Sequence, residues 1–164
     1  MKKISYFIFP FVLLVLINNC VGYEPIFNTS NLKFRINNYS IKGDNNLGQK
    51  LYSKLYAISQ KKSDQDLENV DIIINITKDK NPTSKNSAGK VLGYKITLKT
   101  EIKINNYFDG NKILNETYTY SDSYKSQSQY SDTLKLENQS IDNLLNTIYQ
   151  ELLIDLSQNI LTKW

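Results

Sequence analysis

Residues able to perform catalytic chemistry are scarce in this chain. It has 164 residues, no histidine and a single cysteine, Cys20. Without histidine there is no Ser-His-Asp or Cys-His arrangement, no imidazole general base and no histidine metal ligand. One thiol also excludes an intrachain disulfide framework and the cysteine-based zinc and iron–sulfur sites. The sequence therefore predicts a protein that is not an enzyme and that has no metal site and no cofactor.

Carboxylates occur in two arrangements that could bind an ion or act as an acid–base pair. The acidic segment 64–68 lacks the glycine and the ligand spacing of a calcium loop, so we interpret it as a solvated loop. Glu101 and Glu116 fall on neighbouring predicted strands and could form a carboxylate pair. Pairing of these side chains with lysines across the sheet is the alternative that we favour.

The basic charge of the chain is not specific for nucleic acid. Lysine and arginine number 20 against 16 acidic residues, a net charge of +4, and Arg35 is the only arginine. Asn, Lys, Ile and Tyr are all plentiful and all have AT-rich codons, so codon bias explains much of the composition. We therefore predict no nucleic-acid partner.

The N-terminal segment has the proportions of a secretory signal. Lys2 and Lys3 precede the 14 almost wholly apolar residues 4–17. That stretch is shorter than the roughly 20 residues that span a bilayer as a helix. It is typical of a signal-peptide hydrophobic region, and Pro10 would weaken a permanent transmembrane helix.

The end of this segment, LINNC at residues 16–20, resembles a bacterial lipobox. The resemblance implies that Cys20 is the lipid attachment site and that residues 1–19 are a lipoprotein signal peptide. Residues 20–30 would then form a lipidated tether, and residues 31–164 a single domain. Val21 follows the cysteine where an aspartate would favour the inner membrane of enterobacteria, which implies the outer membrane. An ordinary secretory signal with an unmodified cysteine is the alternative.

Hydrophobic periodicity predicts four strands and two helices. Apolar residues that alternate with polar ones indicate half-buried strands, and apolar residues at helical spacing indicate amphipathic helices. In the first strand the parity of the apolar positions changes near Asn37 and Asn38, which predicts a β-bulge. The predicted strands are residues 31–41, 69–78, 90–105 and 112–124, and the predicted helices are residues 46–61 and 140–161.

Two segments between these elements are predicted to be irregular. Residues 77–90 contain Asn81, Pro82 and Gly89, which predict a flexible hairpin loop. Residues 125–138 are polar and rich in Ser and Gln, so we expect them to be irregular in part, with Ser140 as the N-cap of the last helix.

The order strand, helix, three strands, helix predicts an α+β fold. The first two strands can pair in parallel through a right-handed crossover, and the last three form an antiparallel meander. The expected architecture is a two-layer sandwich with both helices packed on one face of a four-stranded mixed sheet. The other face carries Lys95, Lys99 and Lys103 and is left toward water or a polar partner.

The start of the mature chain resembles the LPS-assembly lipoprotein family, LptE. Mature chains of that family begin with a cysteine and a Gly-aromatic-x-Pro-Leu-aromatic motif. Residues 22–27, GYEPIF, are similar to this motif, with Val21 inserted before the glycine and Ile26 in place of leucine. The predicted element order also matches two helices on a four-stranded sheet.

This resemblance implies an outer-membrane lipoprotein on the periplasmic side. It would plug and help assemble a β-barrel translocon, LptD, and take part in lipopolysaccharide transport to the cell surface. Its partners would be that barrel, lipopolysaccharide, and the membrane through the N-terminal lipid anchor. The alternative is a periplasmic binding lipoprotein auxiliary to another lipid transporter or to the cell wall, which its partners would distinguish.

Clustered lysines in the predicted 77–90 loop are the candidate lipopolysaccharide-binding residues. The segment contains four lysines and a single acidic residue, Asp79. Ammonium groups on a mobile loop could reach the anionic phosphates of lipid A as point charges. A solvated hairpin loop is the alternative. The candidates are Lys78, Lys80, Lys85 and Lys90.

Overall fold

The computed structural model describes residues 32–59 and 67–161, and these form four strands and two helices. The predicted signal peptide and lipidated tether, residues 1–30, lie outside the described residues. The observed order confirms the predicted α+β fold. In chain order the elements are β1 (Phe34–Gly43), α1 (Asn45–Ser59), β2 (Glu68–Lys85), β3 (Val91–Asn106), β4 (Lys112–Lys125) and α2 (Tyr130–Leu161).

The strands form one mixed sheet in the order β1-β2-β3-β4. β1 is parallel to β2, and the other two pairs are antiparallel, as predicted. The register shifts in β1 between Ile36, which pairs with Val70, and Asn38, which pairs with Asp71. This shift confirms the bulge that the change of parity predicted, and it turns the later residues of β1 to the opposite faces.

The hydrophobic core lies between one face of the sheet and the two helices. Even-numbered residues from 70 to 76 of β2 and from 96 to 104 of β3 point into it, and the helices add a leucine- and isoleucine-rich stripe from the opposite side. The residues with no exposed surface include Leu51, Leu55, Ile74, Ile76, Ile96, Leu98, Ile102 and Ile148.

A tight link joins β1 to α1 and holds both against β2. Gly43 has φ +77°, and a Cβ there would lie 2.1 Å from the carbonyl oxygen of Ile76. The amide of Asp44 donates to that same oxygen at 2.7 Å. The carboxylate of Asp44 accepts from the amide of Leu47 at 3.2 Å and caps the helix. The start of α1 is therefore fixed by backbone geometry as well as by its apolar stripe.

The prediction of a flexible loop over residues 77–90 is wrong. β2 continues to Lys85, and only residues 86–90 form the turn, closed by the amide of Gly89 donating to the carbonyl of Asn86 at 2.9 Å. β3 provides pairing partners along this extension, with register shifts on either side of Ser84. Pairing with β1 ends at Ile76, so Pro82 lies where one edge of β2 is open and a missing N–H is tolerated.

The prediction that the last helix begins at Ser140 is also wrong. α2 begins at Tyr130, and residues that we expected to be irregular form its first turns. The hydroxyl of Thr133 accepts from the amide of Gln127 at 2.8 Å, which secures the chain entering the helix. The added turns lie along the far end of the sheet, where Glu137 contacts side chains of β2 and β4. Tertiary contacts therefore extend the helix beyond its clearest apolar stripe.

Candidate functional site

The four candidate lysines do not form one cluster. Lys78 and Lys80 lie within β2, Lys85 is its last residue, and Lys90 directly precedes β3. The seven residue steps from Lys78 to Lys85 span about 23 Å of strand. Only Lys85 and Lys90 lie at the hairpin end: Lys85 precedes the 86–90 turn and Lys90 is its last residue. Cys20, the predicted lipid attachment site, lies outside the described residues.

Lys80 is held in a network of side chains on the helix side of the sheet. Its ammonium group donates to the carboxylate of Glu137, and the hydroxyl of Tyr124 donates to the same oxygen at 2.9 Å. The ammonium nitrogen also lies 4.5 Å from the ring centroid of Tyr94 and 5.9 Å from that of Tyr124. Lys80 therefore joins three strands to α2 and is not a free cation on a loop.

The charges of this network stabilise each other. Burial alone would lower the pKa of Lys80, but its hydrogen bonds to Glu137 and Tyr124 outweigh burial and raise the pKa to about 12. Burial would raise the pKa of Glu137, but Lys80 and Tyr124 outweigh it and hold that pKa below its ordinary value. Both groups are therefore charged over a wide range of pH.

Lys78 reaches a different place, a groove between the two helices. The groove has a volume of about 890 Å³ and is bordered by the start of α1 and the middle of α2. The ammonium group of Lys50 pairs with Asp142 at 2.9 Å across it, and that of Lys54 donates to Asn146 at 2.7 Å. Leu47, Ile141 and Leu145 supply its apolar lining. The charged side chains around the groove include both lysines and aspartates.

The outer face of the sheet is a broad polar surface. Both described helices lie on the other face, so nothing in the described part of the chain covers it. The hydroxyls of Thr97 and Ser121 hydrogen bond at 2.8 Å, and the amide of Asn75 donates to Glu101 at 3.4 Å. The hydrogen bond from Asn75 lowers the pKa of Glu101. The ammonium group of Lys99, 3.4 Å from the carboxylate, lowers it further. The outward row of β3, as predicted, is Lys95, Thr97, Lys99, Glu101 and Lys103.

The possible carboxylate pair of Glu101 and Glu116 is not formed. Glu101 pairs in register with Thr117, whereas Glu116 pairs with Ile102, so the two carboxylates point to opposite faces of the sheet. The lysine that contacts Glu101 is Lys99 of the same strand, and not one across the sheet.

Other site classes can be assessed over residues 32–59 and 67–161. No group of three or more acidic, histidine or cysteine side chains there is arranged to hold a metal ion. No helix in that part of the chain has both the length and the hydropathy needed to cross a membrane.

The fold is similar to those of several solved bacterial lipoproteins. Rare lipoprotein B from Shewanella oneidensis superposes with a TM-score of 0.52 at 11% identity, over 78% of this chain and 100% of that chain. A putative lipoprotein from Caulobacter crescentus gives 0.51 at 12% identity, over 79% and 92%. A minor lipoprotein from Acinetobacter baumannii gives 0.51 at 18% identity, over 74% and 91%. These similarities establish a shared fold.

Sequence comparison alone does not find these relationships. No family model and no curated protein matches this sequence. The shared pattern is thus one of elements and topology, which a sequence can keep while most side chains change.

Two structural features escaped the sequence analysis. Glu137 lies in a segment predicted to be irregular, so nothing indicated that it would meet Lys80. Phe108 lies in the turn between β3 and β4, and it is 77% exposed. A large apolar residue at a hairpin tip was the signal that could have singled it out.

Proposed function

We propose that this protein is a bacterial lipoprotein anchored through Cys20 to the periplasmic side of the outer membrane. There its domain plugs and helps assemble an LptD-like β-barrel translocon in lipopolysaccharide transport. The observation that carries the proposal is the fold, which matches rare lipoprotein B over the whole length of that chain. The signal-like segment 4–17 followed by the only cysteine supports the lipid anchor. The proposed role is not enzymatic.

The polar outer face of the sheet suits this role. The lumen of a large outer-membrane barrel is polar, so a domain inside it needs a hydrated surface over most of its extent. β2 and β3 have 18 and 16 residues, which corresponds to strands of about 50–60 Å. Apart from Ile73 and Val91, their outward side chains are lysine, threonine, asparagine and carboxylate groups that can hydrogen bond to such a wall.

The decisive experiment identifies the partner in the native host. The full chain, purified in mild detergent, should retain an outer-membrane β-barrel, and depletion of the chain should lower the amount of folded barrel. Recovery of an inner-membrane transporter or of cell-wall material, with normal barrel levels after depletion, would favour the auxiliary binding lipoprotein.

The lipid anchor is tested separately by metabolic labelling. Palmitate should label the wild-type chain and should not label Cys20→Ser, because the thiol is the attachment atom. Label that persists in the variant would contradict the assignment of Cys20.

Binding of lipopolysaccharide stays a prediction for Lys78, Lys80, Lys85 and Lys90, but the structure divides the set. The hairpin lysines Lys85 and Lys90 are exposed, one before the turn and one at its end, whereas Lys80 is held by Glu137. We therefore expect Lys85 and Lys90 to contribute more than Lys80 to any contact with lipid A phosphates.

A paired charge reversal tests this division. The double variant Lys85→Glu, Lys90→Glu should weaken binding of the purified protein to lipopolysaccharide. The matched control is Lys103→Glu, Lys112→Glu, which makes the same change of net charge toward the other end of β3. Equal losses in both variants would mean that only net charge matters, and no loss in either would exclude the hairpin as the contact.

A further inference from the structure

An exposed aromatic pair lies at the turn between β3 and β4. Phe108 is 77% exposed and Tyr107 is 45% exposed. Their rings meet edge to face with centroids 5.3 Å apart. We call these two residues the aromatic turn. Adjacent exposed apolar side chains can mark a surface that contacts another apolar medium.

The backbone of the turn is rigid, and it holds Phe108 away from the core. The side-chain oxygen of Asn106 accepts from the amide of Phe108 at 2.8 Å and from that of Asp109 at 3.3 Å. Asp109 in turn accepts from the backbone and side-chain nitrogens of Asn111 at 2.9 and 2.7 Å. Gly110 supplies the positive φ of +69° that closes the hairpin. The acidic neighbour of Phe108 is thus directed back into the turn.

The aromatic turn lies at the same end of the sheet as the start of the described chain. The amide of Tyr107 donates to the carbonyl of Asn69 at 2.9 Å, and the amide of Glu68 donates to the carbonyl of Lys33 at 3.2 Å. Because neighbouring strands are about 4.8 Å apart, Lys33 lies roughly 10 Å from Tyr107 across β2. The segment that leads back to Cys20 therefore joins the domain beside the aromatic turn.

Chain length restricts which end of the domain can face the membrane. The twelve residue steps from Cys20 to residue 32 can span at most about 43 Å when fully extended. The opposite end of β3, at Leu92, is about 50 Å from the aromatic turn. If that end lay on the membrane, the chain from residue 32 would be too short to place Cys20 at the membrane. The end that carries the aromatic turn is the one that the tether allows to stand on the bilayer.

We propose that, before the domain enters the barrel, the aromatic turn is a second, non-covalent contact of the anchored protein with the outer-membrane lipid surface. The inference rests on the proposed lipidation of Cys20. Phe108 would enter the interfacial region, and Tyr107 would keep its hydroxyl at the headgroups, the depth at which aromatic side chains are enriched in membrane proteins. Together with the lipid anchor, this contact orients the domain so that the opposite end of the sheet points away from the membrane.

The test uses the full acylated chain in vesicles and one tryptophan at a time. The protein has a single tryptophan, so Trp164→Phe provides a background without tryptophan. Into this background Phe108→Trp or, as the matched control at the opposite end, Leu92→Trp is introduced. Leu92 is also an exposed apolar residue, at 45%. The vesicles contain phosphatidylethanolamine and phosphatidylglycerol, with lipids brominated near the headgroup as quenchers.

The Phe108→Trp protein should emit at shorter wavelength in vesicles and lose most of its emission when brominated lipid is present. The Leu92→Trp protein should do neither. Tyr107→Trp is a second reporter for the same turn, and circular dichroism of each variant checks that it is folded. Loss of emission at position 108 without loss at position 92 supports the proposal.

Four other results would overturn it, and the first three separate it from the proposed function. If the protein floats with the vesicles but is not quenched at position 108 or 107, the turn does not contact the bilayer and the anchor is intact. Equal quenching at 108 and 92 means that the domain lies flat. A blue shift at 108 only after addition of the barrel assigns the turn to the barrel wall. Absence of acylation removes the anchor and this inference together.

Discussion

Replacement of Glu137 by glutamine tests what holds the first turns of α2 on the sheet. The carboxylate accepts from Lys80 and from the hydroxyl of Tyr124, and its side chain is 13% exposed. Glutamine keeps the size of the side chain and one acceptor oxygen, but it removes the charge. The variant therefore isolates the electrostatic part of the contact between α2 and the far end of β2 and β4.

The expected loss is about 1–2 kcal/mol in the free energy of unfolding at pH 7. A hydrogen bond to a charged group contributes about 1.5–3 kcal/mol. Two such bonds meet at Glu137, but the side chain of Lys80 is 35% exposed, so solvent screens the pair and the lower part of that range applies. Glutamine can also retain a neutral hydrogen bond from Tyr124, which reduces the loss further.

The pH dependence has a definite sign. The pKa of Glu137 is lower in the folded protein than in the unfolded chain, where it is about 4.3. Its contribution to stability is therefore present above about pH 4.3 and is lost as the pH falls through the folded-state value. The pKa of Lys80 is raised to about 12, so its contribution is fully present below about pH 10.4 and is lost as the pH rises from there through about 12. The difference between wild type and Glu137→Gln should be constant from about pH 5 to 10 and shrink on either side.

Urea unfolding followed by far-UV circular dichroism measures this difference, and hydrogen exchange locates it. Amides in residues 130–139 should lose protection first in the variant. Asp142→Asn is the matched control, because it breaks the pair with Lys50 on the same helix, where both side chains are 56% exposed. That control should change stability by no more than about 0.5 kcal/mol. Wild-type stability in Glu137→Gln, or an equal difference at pH 3 and pH 7, would refute the reasoning.

Three further substitutions probe the core by urea unfolding. Thr100 is fully buried and its hydroxyl has no hydrogen-bond partner among the described residues, so Thr100→Val should stabilise the fold by about 1 kcal/mol; a loss would reveal a hidden partner. A Cβ on Gly48 would lie 2.4 Å from a methyl of Ile41, so Gly48→Ala should cost about 1–2 kcal/mol despite its better helix propensity, and Ile41→Ala in the same chain should remove that cost. Tyr118→Phe removes the hydrogen bond of 2.6 Å to Asp155 and should cost about 1 kcal/mol; no change would mean that water replaces it.

Local pattern predicted the elements wherever one face of an element is buried against the core. In β3, alternation placed Ile96 and Leu98 inward and Lys99 outward, and the structure agrees. In β1 the apolar residues change from even-numbered to odd-numbered positions, and this change predicted the bulge. One inserted residue allows a strand to direct both sets toward the same core. The class and order of elements followed from these signals.

The same signals failed where burial depends on a distant partner. Residues 77–85 are polar and include Pro82, so by themselves they indicate a loop, yet β3 is long enough to pair with them along one edge. Strand pairing uses backbone hydrogen bonds, which no side-chain pattern records. Of the four lysines predicted to share a loop, Lys78, Lys80 and Lys85 are therefore spread along β2, and only Lys90 lies in the turn.

The start of α2 at Tyr130 has a comparable cause. Helix propensity and capping pointed to Ser140, but the earlier turns are stabilised by contacts of Glu137 with Lys80 and Tyr124, which are 57 and 13 residues away in sequence. Such a meeting depends on the relative position of three elements after the chain has folded.

The sequence by itself determined which residues could do chemistry at all, because the absence of histidine and the single Cys20 hold in any conformation. It also determined the faces of the main strands, since periodicity is a local property of the chain. Only the tertiary structure decided that Lys80 is locked to Glu137, that Lys78 reaches a groove between helices, and that the aromatic turn stands beside the entry of the chain. Those relations are distances between segments far apart in sequence, and packing of the sheet and helices sets them.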